Sequence, residues 1–300
     1  MEEKNEKSNE QDERIKAQED RVNKIIGKMK ALPTLSLVVA RVIQVVSNPL
    51  TSAKDLSDII TVDQALTAKV LRLANSAFYG FPFRIKNITQ AVSILGFDTI
   101  RNLALTVSVY KVFTGDSNSG FSHLEFWKHC VGTAICASLI AKKIKYRSPE
   151  SAFTAGLLHD IGKNFFEQYM HKEYRDALKM AKENRIPIEE AEKNVIGIDH
   201  ALVGKLMAEK WNLPIELKAG IASHHHPELE QEEVIMANII FAANILCKKK
   251  GIGFSGDEVI IPISEQTREL LGINNEDEIK IMDHLERELK EAEAFINMPQ

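Results

Sequence analysis

The sequence lacks most of what marks a secreted, membrane-bound or nucleic-acid-binding protein. It holds 3 cysteines in 300 residues, an odd number. Their spacings match no zinc pattern. Cys130, Cys136 and Cys247 each sit among apolar neighbours, so they read as buried free thiols in a reducing compartment. No apolar run approaches the length needed to span a bilayer. The N-terminus is charged from its second residue, which is unlike a signal peptide. A cytoplasmic location is therefore expected. A basic excess is missing too: 38 Lys and Arg stand against 42 Asp and Glu, for a net charge of -4. That removes the electrostatic case for nucleic acid. The run Lys248-Lys249-Lys250 is too short to restore it and reads as a solvated helix end. Strand-like alternation is confined to Val259-Ile260-Ile261, and no repeat of solenoid period is present.

What remains is helical periodicity, so the expected fold class is all-α. Residues 1–22 mix acids, bases and amides with almost no apolar side chains and read as a charged flexible arm. Apolar periodicity begins near Val22. Pro33 can open a helix that presents Val38, Val42, Val45 and Val46. Ser52 reads as an N-cap for a helix from Ala53. A third helix over 63–75 buries Leu66, Val70, Leu71 and Leu73. Residues 76–87 form a loop with Gly80 and Pro82. Helices over 88–95 and 97–113 follow, parted by Gly96. Residues 114–123, rich in Gly, Ser, Asn and Asp, are the clearest linker. A second helical half follows, with helices over 124–145, 149–158, 159–183, 188–195, 198–210, 214–224 and 232–249. Breaks are expected near Pro187, Gly197, Pro214 and Pro227. Ser264 starts a short helix. Asn274 or Asn275 caps a last one to about residue 295, with Ile279, Ile281, Met282, Leu285 and Leu289 as its apolar positions.

The chemistry gathers in that second half. His129 lies early in an apolar helix. His159 and Asp160 lie in Leu157-Leu158-His159-Asp160-Ile161-Gly162-Lys163. His200 follows Asp199, and His224 and His225 precede His226-Pro227. Neutral imidazoles bind a divalent metal well, and a carboxylate adds the charge that holds it. Adjacent helical residues diverge by roughly 100 degrees, so a His-Asp pair converges on one ion only at a bend between helices. The apolar neighbours point to a semi-buried cleft. A single histidine on an apolar face is more often a hydrogen-bonded core residue. The triplet His224 to His226 also suits a helix end, and His200 a cap region. Their number around His159-Asp160 is what favours a metal. His123, His171 and His284 have no such setting and read as surface. Lys163, one turn after His159, is either an anion-holding lysine or, with slightly more weight, a solvated one.

These residues carry a resemblance. Leu157 to Lys163 resembles the signature of the HD superfamily of metal-dependent phosphohydrolases. The first half is more specific. Leu32-Pro33-Thr34-Leu35, Ala65 through Leu73-Ala74-Asn75-Ser76-Ala77, and Ile88 through Leu95-Gly96 with Arg101 are similar to the HDOD domain, the HD-related output domain. The resemblance covers about residues 25–247. It implies a helical N-terminal subdomain (23–113) packed on an HD-like helical bundle (124–250), followed by a helical extension (251–300). It also implies a module of bacterial signalling proteins, most of which are regulatory and no longer catalytic. Within it, His129 matches the first HD histidine, and His159 and Asp160 the doublet. His200, His224 and His225 match the extra histidines of the cyclic-dinucleotide phosphodiesterase branch. Asn244 stands where the last HD aspartate is expected, and an amide oxygen ligates more weakly than a carboxylate. The Gly-Tyr-Pro segment of that branch is absent, since the chain reads Leu229-Glu230-Gln231-Glu232.

Three functions follow as expectations. The first is a regulatory module with protein partners in a signalling pathway and a near-complete metal site. The divalent ion would be iron, manganese, zinc, nickel or magnesium. The second is a metal-dependent phosphohydrolase acting on a nucleotide or cyclic nucleotide, with a nucleotide or phosphate ligand and Lys163 stabilising charge. The third is a scaffold with no ligand, using the charged arm and last helix as contact surfaces. No receiver-like domain fits in the chain, so a sensory input is expected from a separate protein.

Overall fold

The first helices begin where a short polar side chain can satisfy an orphan backbone N–H. In a computed structural model that describes residue 27 and residues 35–76, 79–81, 83–113 and 122–292, Ser36 accepts from Val39 N to open α1 (Leu37–Val46). Ser52 and Asp55 form a reciprocal capping box at α2 (Ala53–Thr61). Asp63 caps α3 (Gln64–Ala74) and Asn87 caps α4 (Ile88–Leu95). Gly96, at φ 84°, turns the chain into α5 (Phe97–Phe113). These helices share one apolar core containing Val42, Leu56, Ile60, Val70, Leu73 and Ile100.

The second half is built around two helices that are apolar nearly all round, α6 (His123–Lys143) and α13 (Val234–Lys249). A helix of that kind must be surrounded by others. Around them lie α7 (Pro149–Leu158), α8 (Ile161–Tyr169), α9 (His171–Asn184), α10 (Ile188–Val195), α11 (His200–Lys210) and α12 (Ile215–Ala222). α5 packs on α7 and so joins the two halves. There Arg101 of α5 lies 3.6 Å from Glu216 of α12. Two glycines let backbones meet. A Cβ on Gly156 would come within 2.8 Å of Ala134 Cα, and one on Gly162 would run into the His200 carbonyl. The first closes α7 on α6 and the second closes α8 on α11.

Several expectations change here. The helix over 159–183 is two, broken at Met170 (φ −136°, ψ 37°). Residues 259–261 pair with no strand, and no strand occurs among the described residues. The three lysines after Cys247 are paired rather than solvated: Lys248 with Asp257 (2.6 Å), Lys249 with Glu278 (3.2 Å) and Lys250 with Glu286 (3.0 Å). The last helix, α15 (Asn275–Glu291), packs on α6 through Ile281 and Leu285, while Ile279 faces solvent. α14 (Glu265–Leu271) precedes it. The helix expected to open at Pro33 opens at Leu37 behind Ser36, and the last helix ends at Glu291; the expected N-terminal arm, Pro33 itself and most of the linker lie outside the described residues. No described helix is long and apolar enough to cross a membrane.

Candidate metal centre

The centre grows from the junction of α7 and α8. His159 is the C-cap of α7, and Asp160 occupies the N-cap position of α8. An aspartate at that position ordinarily accepts from the backbone of the next turn. Asp160 makes no such bond. The bend frees its carboxylate to turn inward beside His159, which answers the divergence of adjacent helical residues. His129 comes from α6, His200 from the start of α11, and His224 and His225 from the turn after α12.

Asp160 stands between two sets of imidazoles. Its Oδ2 lies 3.2 Å from His159 Nε2 and 3.8 Å from His129 Nε2. Its Oδ1 lies 3.1 Å from His200 Nε2 and 3.5 Å from His224 Nε2. One potential ligand atom from each of His129, His159 and Asp160 falls within 4.8 Å of the others, and the same holds for Asp160, His200, His224 and His225. Either group could hold a metal ion.

Hydrogen bonds behind the rings fix their tautomers. His159 Nδ1 meets Gly156 O at 2.7 Å, His224 Nδ1 meets Ile221 O at 2.8 Å, and His200 Nδ1 meets Glu192 Oε2 at 2.6 Å. Each carbonyl or carboxylate accepts the ring proton, which leaves a lone pair on Nε2. His225 Nδ1 lies 3.2 Å from Glu189 Oε2 in the same sense. His200 Nε2 is thus 3.2 Å from His224 Nε2 and 2.9 Å from His225 Nε2. With those tautomers the lone pairs face one another. His129 Nε2, His159 Nε2 and Asp160 Oδ1 are buried without hydrogen-bond partners. Unsatisfied buried acceptors around a common point cost stability. A divalent cation removes that cost, and imidazole with carboxylate is a donor set that suits one. The residues therefore fit a metal.

Electrostatics favour the neutral ring at His224, His129 and His225, but not at His200. Burial pushes the His224 imidazole down to about 3 and holds His129 and His225 well below the usual range, with neighbouring imidazoles adding to the effect. Neutral rings are the form that ligates. Burial acts the same way on His200, but Glu192 and Asp160 outweigh it and raise the ring to about 9. Burial opposes ionisation of Asp160, yet His159 and Lys163 overcome it and hold the carboxyl well below its ordinary value.

Lys163 is not the solvated lysine favoured on sequence. It is 1% exposed, and its Nζ donates to Asp160 Oδ2 at 2.7 Å and to Ser255 O at 2.8 Å. One turn of α8 carries it onto the carboxylate, and the paired charge is what lets a lysine be buried. The centre is also more closed than a semi-buried cleft. His129, His159, Asp160, His200 and His224 are buried, and only His225 reaches a surface depression of about 600 Å³. Residues 253–255 pack beside the centre. Gly253, at φ +65°, lies against the backbone of Glu125 and His129, where a Cβ would clash, and Phe254 N donates to Glu125 O. Asn244 is buried on α13 with Oδ1 unpartnered. Of the histidines read as surface, His284 is exposed, whereas His123 and His171 are partly buried; His171 Nδ1 lies 3.1 Å from Glu167.

Glu189 and Glu192 of α10 were missed on sequence. The signal was present: Glu192 falls four residues after Ile188 and four before Ile196, both buried. A carboxylate inside an apolar stripe needs a partner, and its partner is His200.

Comparison with known proteins accords with this architecture. Residues 32–227 match the HDOD domain. An HDOD domain protein with unknown function from Geobacter sulfurreducens has a solved structure 28% identical to this chain. It superposes with a TM-score of 0.75 over 93% of this chain and 98% of its own. A candidate phosphohydrolase from Shewanella amazonensis SB2B is 26% identical, with a TM-score of 0.70 over 91% of this chain and 96% of its own. An uncharacterized protein of Treponema pallidum (strain Nichols) is 24% identical over 223 residues; the match takes in 74% of this chain but 43% of the relative's length. With the family match spanning well over half its length and the fold shared with solved relatives, this chain belongs to the HDOD domain family.

Proposed function

We propose that the chain is a regulatory HDOD module of a signalling pathway, whose buried His/Asp centre holds one or two divalent ions and does not turn over substrate. The observation that carries this reading is the combination of inward lone pairs with closure. His159, His200 and His224 are tautomer-locked with Nε2 toward Asp160, yet five of the six ligating side chains are out of contact with solvent. A metal-dependent hydrolase keeps an open coordination position and a path to it. His129, His159 and Asp160 would form one site, and Asp160, His200, His224 and His225 the other. Asn244 offers an amide oxygen where charge would bind more strongly. Bound metal would supply charge that ties α6, α7, α8, α11 and the turn after α12 together. Partner proteins would then read the surface of a metal-stiffened bundle. The three buried free cysteines support the cytoplasm as its location.

A second reading, a phosphohydrolase, draws on one feature. His225 opens on a surface depression, a path by which a phosphoester could reach one ligand. The two readings separate in one experiment. The chain is purified without chelator or histidine tag, its metal content is measured, and phosphodiester and nucleotide hydrolysis are assayed with manganese, iron and zinc. Retained metal, lost in Asp160→Asn, without hydrolysis is the expected result. Absence of metal sinks both readings, and hydrolysis abolished by Asp160→Asn establishes the second.

A further inference from the structure

The motif Leu73-Ala74-Asn75-Ser76 is remote in the chain from every ligand of the centre, and the proposed function does not use it. The structure shows what it builds. Asn75 is the C-cap of α3. Its Nδ2 donates to Leu71 O (2.8 Å) and to Ile85 O (2.9 Å), while its Oδ1 accepts from Ile85 N (2.7 Å). One amide thereby satisfies both backbone groups of Ile85 and pins the segment 83–86 against the end of α3. Ser76 closes the helix end below by donating to Leu73 O at 2.6 Å. Lys86 N donates to Gln90 Oε1 at 2.9 Å and fastens the far end of the segment to α4.

Between the pinned segment and α3 lies a hollow of about 1130 Å³. Its lining includes Arg72, Arg84 and Lys86 with Phe81 and Phe83, and no carboxylate among the described residues. All three cations are exposed and none forms an ion pair or side-chain hydrogen bond among the described residues. Elsewhere on this net-acidic chain, cations are commonly paired, as Lys248, Lys249 and Lys250 are. Phe83 is 50% exposed, and its ring centroid lies 5.8 Å from that of Phe81. Two phenyl rings beside three unpaired cations leave both apolar and positive surface unused.

We infer that the hollow between α3 and residues 83–86 is a ligand site for a nucleoside phosphate. Arg72, Arg84 and Lys86 would take the phosphate, since guanidinium forks match phosphate oxygens in pairs. Phe83, with Phe81, would cover a face of the base, because phenyl rings pair with other ring faces in offset or edge geometry. Asn75 is the positioning residue. It holds Arg84 and Phe83 where they are by fixing Ile85 between them and Lys86.

The test is direct titration of the full chain with the fluorescent nucleotide mant-ADP in EDTA, so that metal-dependent binding elsewhere does not contribute. Saturable binding is expected. Arg84→Glu, an exposed change that leaves the fold intact, should weaken it about tenfold or more, the loss of one charge-assisted contact with added repulsion. Arg84→Lys should retain most of it, and Phe83→Ala should weaken mant-ADP but not inorganic pyrophosphate. Absence of saturable binding overturns the inference. So does binding that survives Arg84→Glu. Equal affinity for mant-ADP and pyrophosphate, indifferent to Phe83→Ala, overturns the nucleoside part. Preferential capture of an acidic peptide that excludes mant-ADP overturns the ligand class.

Discussion

The six side chains that could hold a metal gather around the junction of α7 and α8, five of them buried, while three cations beside α3 face water with no partner among the described residues. Both regions concentrate polar groups, but the energetics run in opposite directions. In the centre each group was desolvated on folding, so each must find a partner or leave a cost of about 1–3 kcal/mol behind. His159, His200 and His224 find carbonyl or carboxylate partners on one nitrogen, and their other nitrogens are left for a cation. In the hollow, Arg72, Arg84 and Lys86 kept their hydration and owe nothing to folding. A buried polar cluster is therefore bound up with stability, and an exposed one with binding alone.

The sharpest way to break this contrast is Asp160→Ala. It strips Lys163 of its carboxylate and leaves a buried cation, at a cost of about 3–5 kcal/mol. Urea unfolding of the metal-free chain should show that loss, and a midpoint unchanged from the parent would mean that Asp160 is not paired in solution. Glu192→Gln is the next test. The amide accepts from His200 less strongly, and metal affinity should fall about 10–100-fold, by analogy with removed outer carboxylates. Competition with a chelating dye would measure it. Beside the centre, Gly253→Ala puts a methyl group into the backbone of Glu125 and His129. A destabilisation of about 1–3 kcal/mol with faster metal loss to EDTA is expected, and unchanged exchange would show that packing at residues 253–255 does not reach the centre. The smallest effect belongs to the hollow: Arg84→Gln should change stability by no more than about 0.5 kcal/mol. A larger loss in thermal melts would mean that the cation has a structural partner after all.

Much of this was readable from residue order. Helix starts at Ser52, Ser264 and Asn274, and breaks at Pro187, Gly197 and Pro214, follow from local backbone chemistry that needs no distant partner. The single helix expected over 159–183 failed because Met170 breaks it with a residue that carries no breaker signal. Lys163 was misjudged for a related reason. A lysine one turn from an aspartate looks the same in sequence whether the pair faces water or the core. Its burial depends on Ser255, which is 92 positions away.

The sequence alone settled the all-helical class, the family and the identity of the histidines around Asp160, because periodicity, caps and motif residues are local properties. Only tertiary structure decided that Asp160 abandons its capping role, that α10 supplies Glu189 and Glu192 behind the rings, and that residues 253–255 pack against α6 while the hollow beside α3 stays open. Those outcomes depend on which backbones meet at Gly156, Gly162 and Gly253. Close approach of segments distant in the chain is set by packing the whole core, which no local pattern records.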